Sequence, residues 1–187
     1  MQKISVFPRT SNKKSDPKKN RREGEVPGVI YGLNKANHNI CVKLEEIQAI
    51  LRKIPQGLLP TTVFELQEGD KTHKALVKEI QYHHATYAIQ HIDFALLADD
   101  RMVMVNVPIQ VEGLADCVGI KLGGFLRHII RSFKVKCLPK NIPSFFTVDV
   151  RALDITHSKT LGDIQMPEGV RPMVKLNEVA VVIAKRV

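Results

Sequence analysis

Residues 78–94 read KEIQYHHATYAIQHIDF. The start of this stretch completes KALVKEI (74–80) and its end is the strand-like YAIQHIDF (87–94); Gln81, His83 and His84 lie between. Such short, β-branched and aromatic runs broken by polar residues read as strands. Moving upstream, TTVFEL (61–66) is a further strand candidate. Together with KALVKEI it predicts a hairpin around a longer polar loop, 67–73, that contains Gly69 and Asp70. Before it, Leu44, Ile47, Ile50, Leu51 and Ile54 recur at helical spacing, with Glu45 and Glu46 in the first turn and Pro55 and Gly57 as stop signals. VPGVIYG (26–32) reads as a short buried strand entered through Pro27 and left through Gly32.

Downstream the texture changes at about Ala95. Val103, Val105, Val107, Ile109 and Val111 alternate with other residues, as do Phe133, Val135 and Cys137, which is the period-two pattern of half-buried strands. FFTVDV (145–150) and VAVVIA (179–184) add two more strands between prolines and glycines. FLRHIIRSF (125–133) fits either a helical turn or a long strand. The expected fold is therefore mainly β with a few helices, in two domains, residues 1–94 and 95–187, the second a small β sandwich or barrel.

Charge is distributed unevenly. The chain has 187 residues and a net charge of +9. Residues 1–22 hold eight bases against the single acid Asp16, a net +7, so nearly all the excess lies at one end. A basic segment of this kind meets a polyanion, either nucleic acid or an anionic membrane surface. The membrane alternative requires an apolar helical face. RTSNKKSDPKKNRREGE (9–25) has no apolar side chain except Pro17. Its composition also predicts that it is unordered before binding. No secretory signal or run of about 18 apolar residues is present, which places the chain in the cytosol.

Enzyme constellations are missing from the sequence. Gly69-Asp70-Lys71-Thr72 lacks the glycine spacing of a phosphate cradle, and neither G-x-S-x-G nor H-E-x-x-H occurs. Cys41, Cys117 and Cys137 are odd in number and widely spaced, so they predict neither a disulfide framework nor a zinc ribbon. His83, His84 and His91 have no cysteine or carboxylate cluster to complete a metal site. Asp99 and Asp100 are adjacent and would point to opposite faces of an extended chain. No cofactor and no small-molecule substrate is expected.

The remaining polar groups suit RNA, where bases hold phosphates and aromatic or polar side chains read groove shape, sugars and base edges. Tyr31, Gln81, His83, His84, His91 and Asp93 are the candidates. Tyr31 serves equally well as a core aromatic, and Asp93 as the partner of a turn backbone.

The segment from Arg9 through RREGEVPGVIYG, followed by KEIQYHHATYAIQHIDF, resembles the N-terminal domain of large-subunit ribosomal protein family twenty-five, which binds 5S ribosomal RNA. GIKLGGFLRHIIRSFKVKCLPKNIPSFFTVDVRALDI (119–155) and MPEGVR (166–171) resemble the additional β domain of its long form, the CTC or general stress protein type. The resemblance implies a six-stranded N-terminal β barrel whose RNA face includes Arg9, Lys14, Lys18, Lys19 and Arg21, with Arg22 added on charge alone. It further implies Tyr31, Gln81, His91, Asp93 and His84 as contacts to bases, sugars or backbone. It makes 5S RNA and the large ribosomal subunit the partners, with other ribosomal RNA or ribosomal proteins for the C-terminal domain. A stress-induced RNA-binding factor that visits ribosomes transiently is the alternative. The sequence departs from the family where KKSDPKKNR replaces a glycine- and arginine-rich run, and where His84 replaces a proline.

Overall fold

In a computed structural model, residues 2–9, 15–32, 35–69 and 71–185 are described. They form two compact units, Met1–Arg101 and Met102–Val187.

The first unit is a closed barrel of six strands: β1 (Gln2–Pro8), β2 (Glu25–Gly32), β3 (Lys35–Lys43), β4 (Val63–Glu68), β5 (Lys71–Tyr82) and β6 (Ile89–Leu96), in the order β1-β3-β2-β6-β5-β4. β1 closes it by being shared. Gln2 to Ser5 pair in parallel with Phe64 to Gln67 of β4, and Val6 to Pro8 pair antiparallel with Ile40 to Val42 of β3. At the changeover the backbone N–H of Ser5 donates to the carboxylate of Glu46 at 3.0 Å, so it is not left orphaned. Glu46 belongs to α2 (Leu44–Lys53), which buries Ile47 and Ile50 and packs Leu44 and Leu51 against the barrel core.

β6 is flanked by β2 in parallel and β5 in antiparallel register. Ile92 and Phe94 point into the core, fully buried with Ile30 of β2 beside them. Strand alternation therefore sends the intervening residues of all three strands outward. The approach of β2 to β6 is close: a Cβ on Gly28 would lie 2.6 Å from the carbonyl oxygen of Ile92.

Two expectations need correction. The β4–β5 hairpin has no long loop, because Glu68 pairs directly with Lys71 and only residues 69 and 70 intervene. Gly69, at φ +56°, makes that tight reversal possible. Of the polar stretch, Gln67 and Glu68 end β4 and Lys71, Thr72 and His73 begin β5, with side chains mostly solvated. In addition, residues 16–22 of the basic segment form α1 (Asp16–Arg22), with Asp16 in its first turn and Lys19, Arg21 and Arg22 in its last, matching the helix dipole at both ends. Composition alone concealed this helix because it buries none of its own residues and is held by contacts to distant strands.

The second unit contains β7 (Val103–Glu112), α3 (Val118–Lys121), β8 (Gly124–His128), β9 (Ser132–Cys137), β10 (Phe146–Asp149), β11 (Ser158–Thr160), β12 (Arg171–Pro172) and β13 (Val179–Lys185). They build a four-stranded sheet, β10-β7-β9-β12, and a three-stranded sheet, β11-β13-β8. The ambiguous FLRHIIRSF is neither one helix nor one strand, since it contributes to β8 and β9 in different sheets. Val105, Val107, Phe133, Val135, Phe146 and Val148 supply one buried face, on which the rings of Phe133 and Phe146 stack at 4.9 Å.

Substituting Gly28→Ala is expected to push β2 from β6 and destabilise the first unit by about 1–3 kcal/mol, the usual cost of overpacking. The urea midpoint of the purified chain, read by a probe in that unit, checks this; an unchanged midpoint would mean the strands have room to spare.

Candidate nucleic-acid interface

The outward residues of β2, β6 and β5 form one polar field. Registers place Asp93 beside Val29 and Glu79, His91 beside Gln81, and Tyr31 beside Ala95. Tyr31, Gln81, His91 and Asp93 thus lie on one face, although they are up to 62 positions apart in sequence. His91 and Asp93 share a side of β6, and their Nδ1 and Oδ1 are 2.7 Å apart. This hydrogen bond between neighbouring side chains holds the imidazole in place on the strand. Burial, followed by the carboxylates of Asp93 and Glu79, raises the Tyr31 phenol above its ordinary pKa. The phenol therefore remains a hydrogen-bond donor throughout the neutral range.

α1 lies against β2 on the same outer surface. The Asn20 amide donates to Cys41 Sγ at 2.8 Å and Arg21 Nε donates to the Gln90 carbonyl at 3.2 Å, tying the helix to β3 and β6. Since Asn20 faces the barrel, a period of 3.6 residues turns Lys18 and Arg22 away from it. These two exposed bases are an i, i+4 pair of like charge. Lys19 is on a flank and meets Glu23 at 3.8 Å, an exposed pair worth little. Cys41 is buried beneath this helix, where desolvation pushes its thiol pKa up despite the opposing Asn20 bond.

The predicted residues therefore divide into groups. Tyr31, Gln81, His91 and Asp93 share the sheet face, and Arg21 reaches its edge. Arg9 lies across α1 from them, in a cleft with Lys19, Asn20 and Cys41, its Nε buried without a hydrogen-bond partner. Lys18 and Arg22 project from the helix. Lys14 falls outside the described residues.

His84 is in the β5–β6 turn, its ring stacked on His83 at 4.8 Å. His83 is the one that lines a groove with Arg21 and Gln90, and its Nδ1 accepts from the Thr86 N–H at 3.2 Å. His83 and His91 thus serve different partners. Among the described residues no group of three or more histidine, cysteine or acidic side chains could hold a metal ion.

Sequence reasoning missed Asn20, Tyr82 and Tyr87. Tyr82 and Tyr87 bracket the β5–β6 turn, and Tyr87 is 79% exposed at φ +54°. Their signal was available as a pair of tyrosines around a histidine turn beside a basic segment. Asn20 gave none, because its partner is 21 positions away.

These features define a two-unit β protein with a basic helix and a field of fixed polar groups on the barrel. Family comparison narrows the class. The model of the ribosomal L25p family matches residues 4–94, and that of the ribosomal protein TL5 C-terminal domain matches residues 102–186. Proteins named large ribosomal subunit protein bL25 are similar along the whole length. Those of Chlamydia abortus and Chlamydia trachomatis serovar L2 are 43% and 44% identical, and that of Chlamydia pneumoniae 40%, each over 98% of this chain and 99% of the relative. The chain belongs to the ribosomal L25p family, in its long form with the TL5-type C-terminal domain, a family of ribosomal structural proteins and not of enzymes.

The phenol contribution to the ultraviolet titration, isolated as wild type minus Tyr31→Phe, is expected to have its midpoint above the ordinary tyrosine value. Stability linked to this group is present below that value and is lost as pH rises through the folded midpoint. Asp93→Asn should lower the midpoint without returning it to the ordinary value, because burial is the larger cause. No movement in Asp93→Asn would remove that carboxylate from the surroundings of the phenol.

Proposed function

We propose that this chain is a structural constituent of the large ribosomal subunit that binds 5S ribosomal RNA through the outer surface of its barrel. The observation that carries the reading is the gathering of Tyr31, Gln81, His91 and Asp93 on one face, beside a helix whose exposed side presents Lys18 and Arg22. A wide, shallow RNA minor groove is read by such fixed donors and acceptors, while bases flanking them hold phosphates. The names of the relatives, all large-subunit proteins, support the same assignment. This places the chain at work on ribosomes in the cytoplasm.

The mechanism is architectural. Phosphate contacts by Lys18, Arg21 and Arg22 supply salt-dependent affinity, with a smaller share from Lys19 because Glu23 competes for it. Selectivity comes from groups whose geometry is set before RNA arrives: His91 held by Asp93, and Tyr31 anchored in its strand.

Binding of the full chain to 5S RNA and to unrelated duplex RNA of equal length, at two salt concentrations, tests the reading. A preference for 5S RNA that survives high salt is expected; equal affinities that collapse together with salt would overturn it. Replacing Lys18, Lys19, Arg21 and Arg22 by alanine should lower the salt slope by roughly three to four units, at about 0.9 for each phosphate no longer neutralised. An unchanged slope would remove these bases from the interface.

A further inference from the structure

The second unit segregates charge across one sheet. On the outward side of β7, β9 and β12, the registers place Met104, Lys136 and Arg171 in one row and Asn106 opposite Lys134 in the next. Met173, whose N–H donates to the Lys134 carbonyl at 2.9 Å, extends the second row. Toward the other edge of the sheet, Glu112 of β7 pairs with Asp149 of β10. Acids and bases of a single sheet thus stand apart, although neighbouring placement was open to them.

That arrangement works against folding. Lys136 and Arg171 are directly opposed like charges, which weaken the pairing of their strands. Neither they nor Lys134 make an ion pair among the described residues, whereas Lys121 and Arg151 of the same unit have Asp116 and Asp149. Protection of a sheet edge does not account for the lysines, because β9 is an inner strand between β7 and β12. Flanking the cations, Met104 and Met173 are 53% and 55% exposed.

We infer that this face is a second RNA-binding surface, in which Lys134, Lys136 and Arg171 hold backbone phosphates while Asn106 and the two methionines meet sugars and base edges. The inference rests on the ribosomal reading above in taking RNA as the polyanion. The outward side chains of paired strands form a face with cations in adjoining rows, which suits the wide, shallow minor groove of an RNA duplex. Lysines two residues apart on β9 stand about 7 Å from each other along the strand, and Arg171 is one strand over, so the three cations can reach separate phosphates. At the other edge Glu112 stands beside the Asp149–Arg151 pair, so no excess of positive charge extends there, and this restricts the orientation in which RNA can lie.

The full chain carrying Lys134→Gln, Lys136→Gln and Arg171→Gln should be compared with one carrying Arg127→Gln, Lys159→Gln and Lys185→Gln, which removes equal charge from the three-stranded sheet. Circular dichroism confirms that both fold. The probes are 5S RNA and protein-free RNA of the large subunit, each titrated over a range of salt. The first variant is expected to lose at least about tenfold in affinity and about two to three units of salt slope on one of the probes, which identifies the RNA. The control variant should stay within about twofold. Equal losses in both variants would reduce the face to general charge and overturn the inference. So would unchanged RNA binding by the first variant, including the case in which it fails to enter reconstituted subunits, since the partner would then be a protein. Failure of the 5S reading is separate: it appears as absent discrimination by the wild-type chain, whichever variant is used.

Discussion

The close approach of β2 to β6 governs the barrel unit. With a glycine at position 28 the strands can pair in parallel under the Ile92 carbonyl, and every outward position on both strands follows from that register. Tyr31 then comes near Asp93, and β5, paired to the other side of β6, brings Gln81 opposite His91. The same constraint aims Ile30, Ile92 and Phe94 into the core. Core and polar field are two faces of one pairing, so a shift of one residue would exchange them and destroy both.

α1 has different requirements on its different sides. Asn20 and Arg21 attach it to the barrel by two hydrogen bonds, one to a thiol and one to a backbone carbonyl. Its outer side keeps Lys18 and Arg22 in water, where like charges one turn apart cost stability but leave both free to meet phosphate. A helix of seven residues with no buried side chain has little intrinsic stability, and its order derives from the strands beneath it. The second unit shows the same pattern on its sheet, where Lys136 faces Arg171 across a strand pair and the acids stand elsewhere. Both surfaces place like charges at neighbouring positions, one turn apart on the helix and opposite each other across the β9–β12 pair.

Much of the architecture was legible in sequence. The period-two runs located β7 and β9, the short apolar runs between prolines and glycines located β10 and β13, the helical spacing of apolar residues located α2, and the motif around residues 78–94 led to the barrel. β1 and β3 were not recognised, because QKISVFP and KANHNICVK mix polar with apolar residues; their pairing to distant strands makes them strands. The loop expected at 67–73 failed for a related reason. Polar composition reports that side chains are solvated, and an exposed hairpin arm satisfies that as well as a loop does.

By itself the sequence determined the class of the chain: two mainly β units, a strongly basic end and no catalytic constellation. It also supplied most of the polar residues of the barrel face, as types suited to RNA. Tertiary structure decided which of them stand together. It grouped Tyr31, Gln81, His91 and Asp93, moved Arg9 to the far side of α1, set His83 and not His84 beside Arg21, and assembled Lys134, Lys136 and Arg171 from two strands. The physical reason is that side-chain type and local period are written along the chain, whereas neighbours across a sheet depend on register, and register is set by long-range pairing and by approaches as close as that of Gly28 to Ile92.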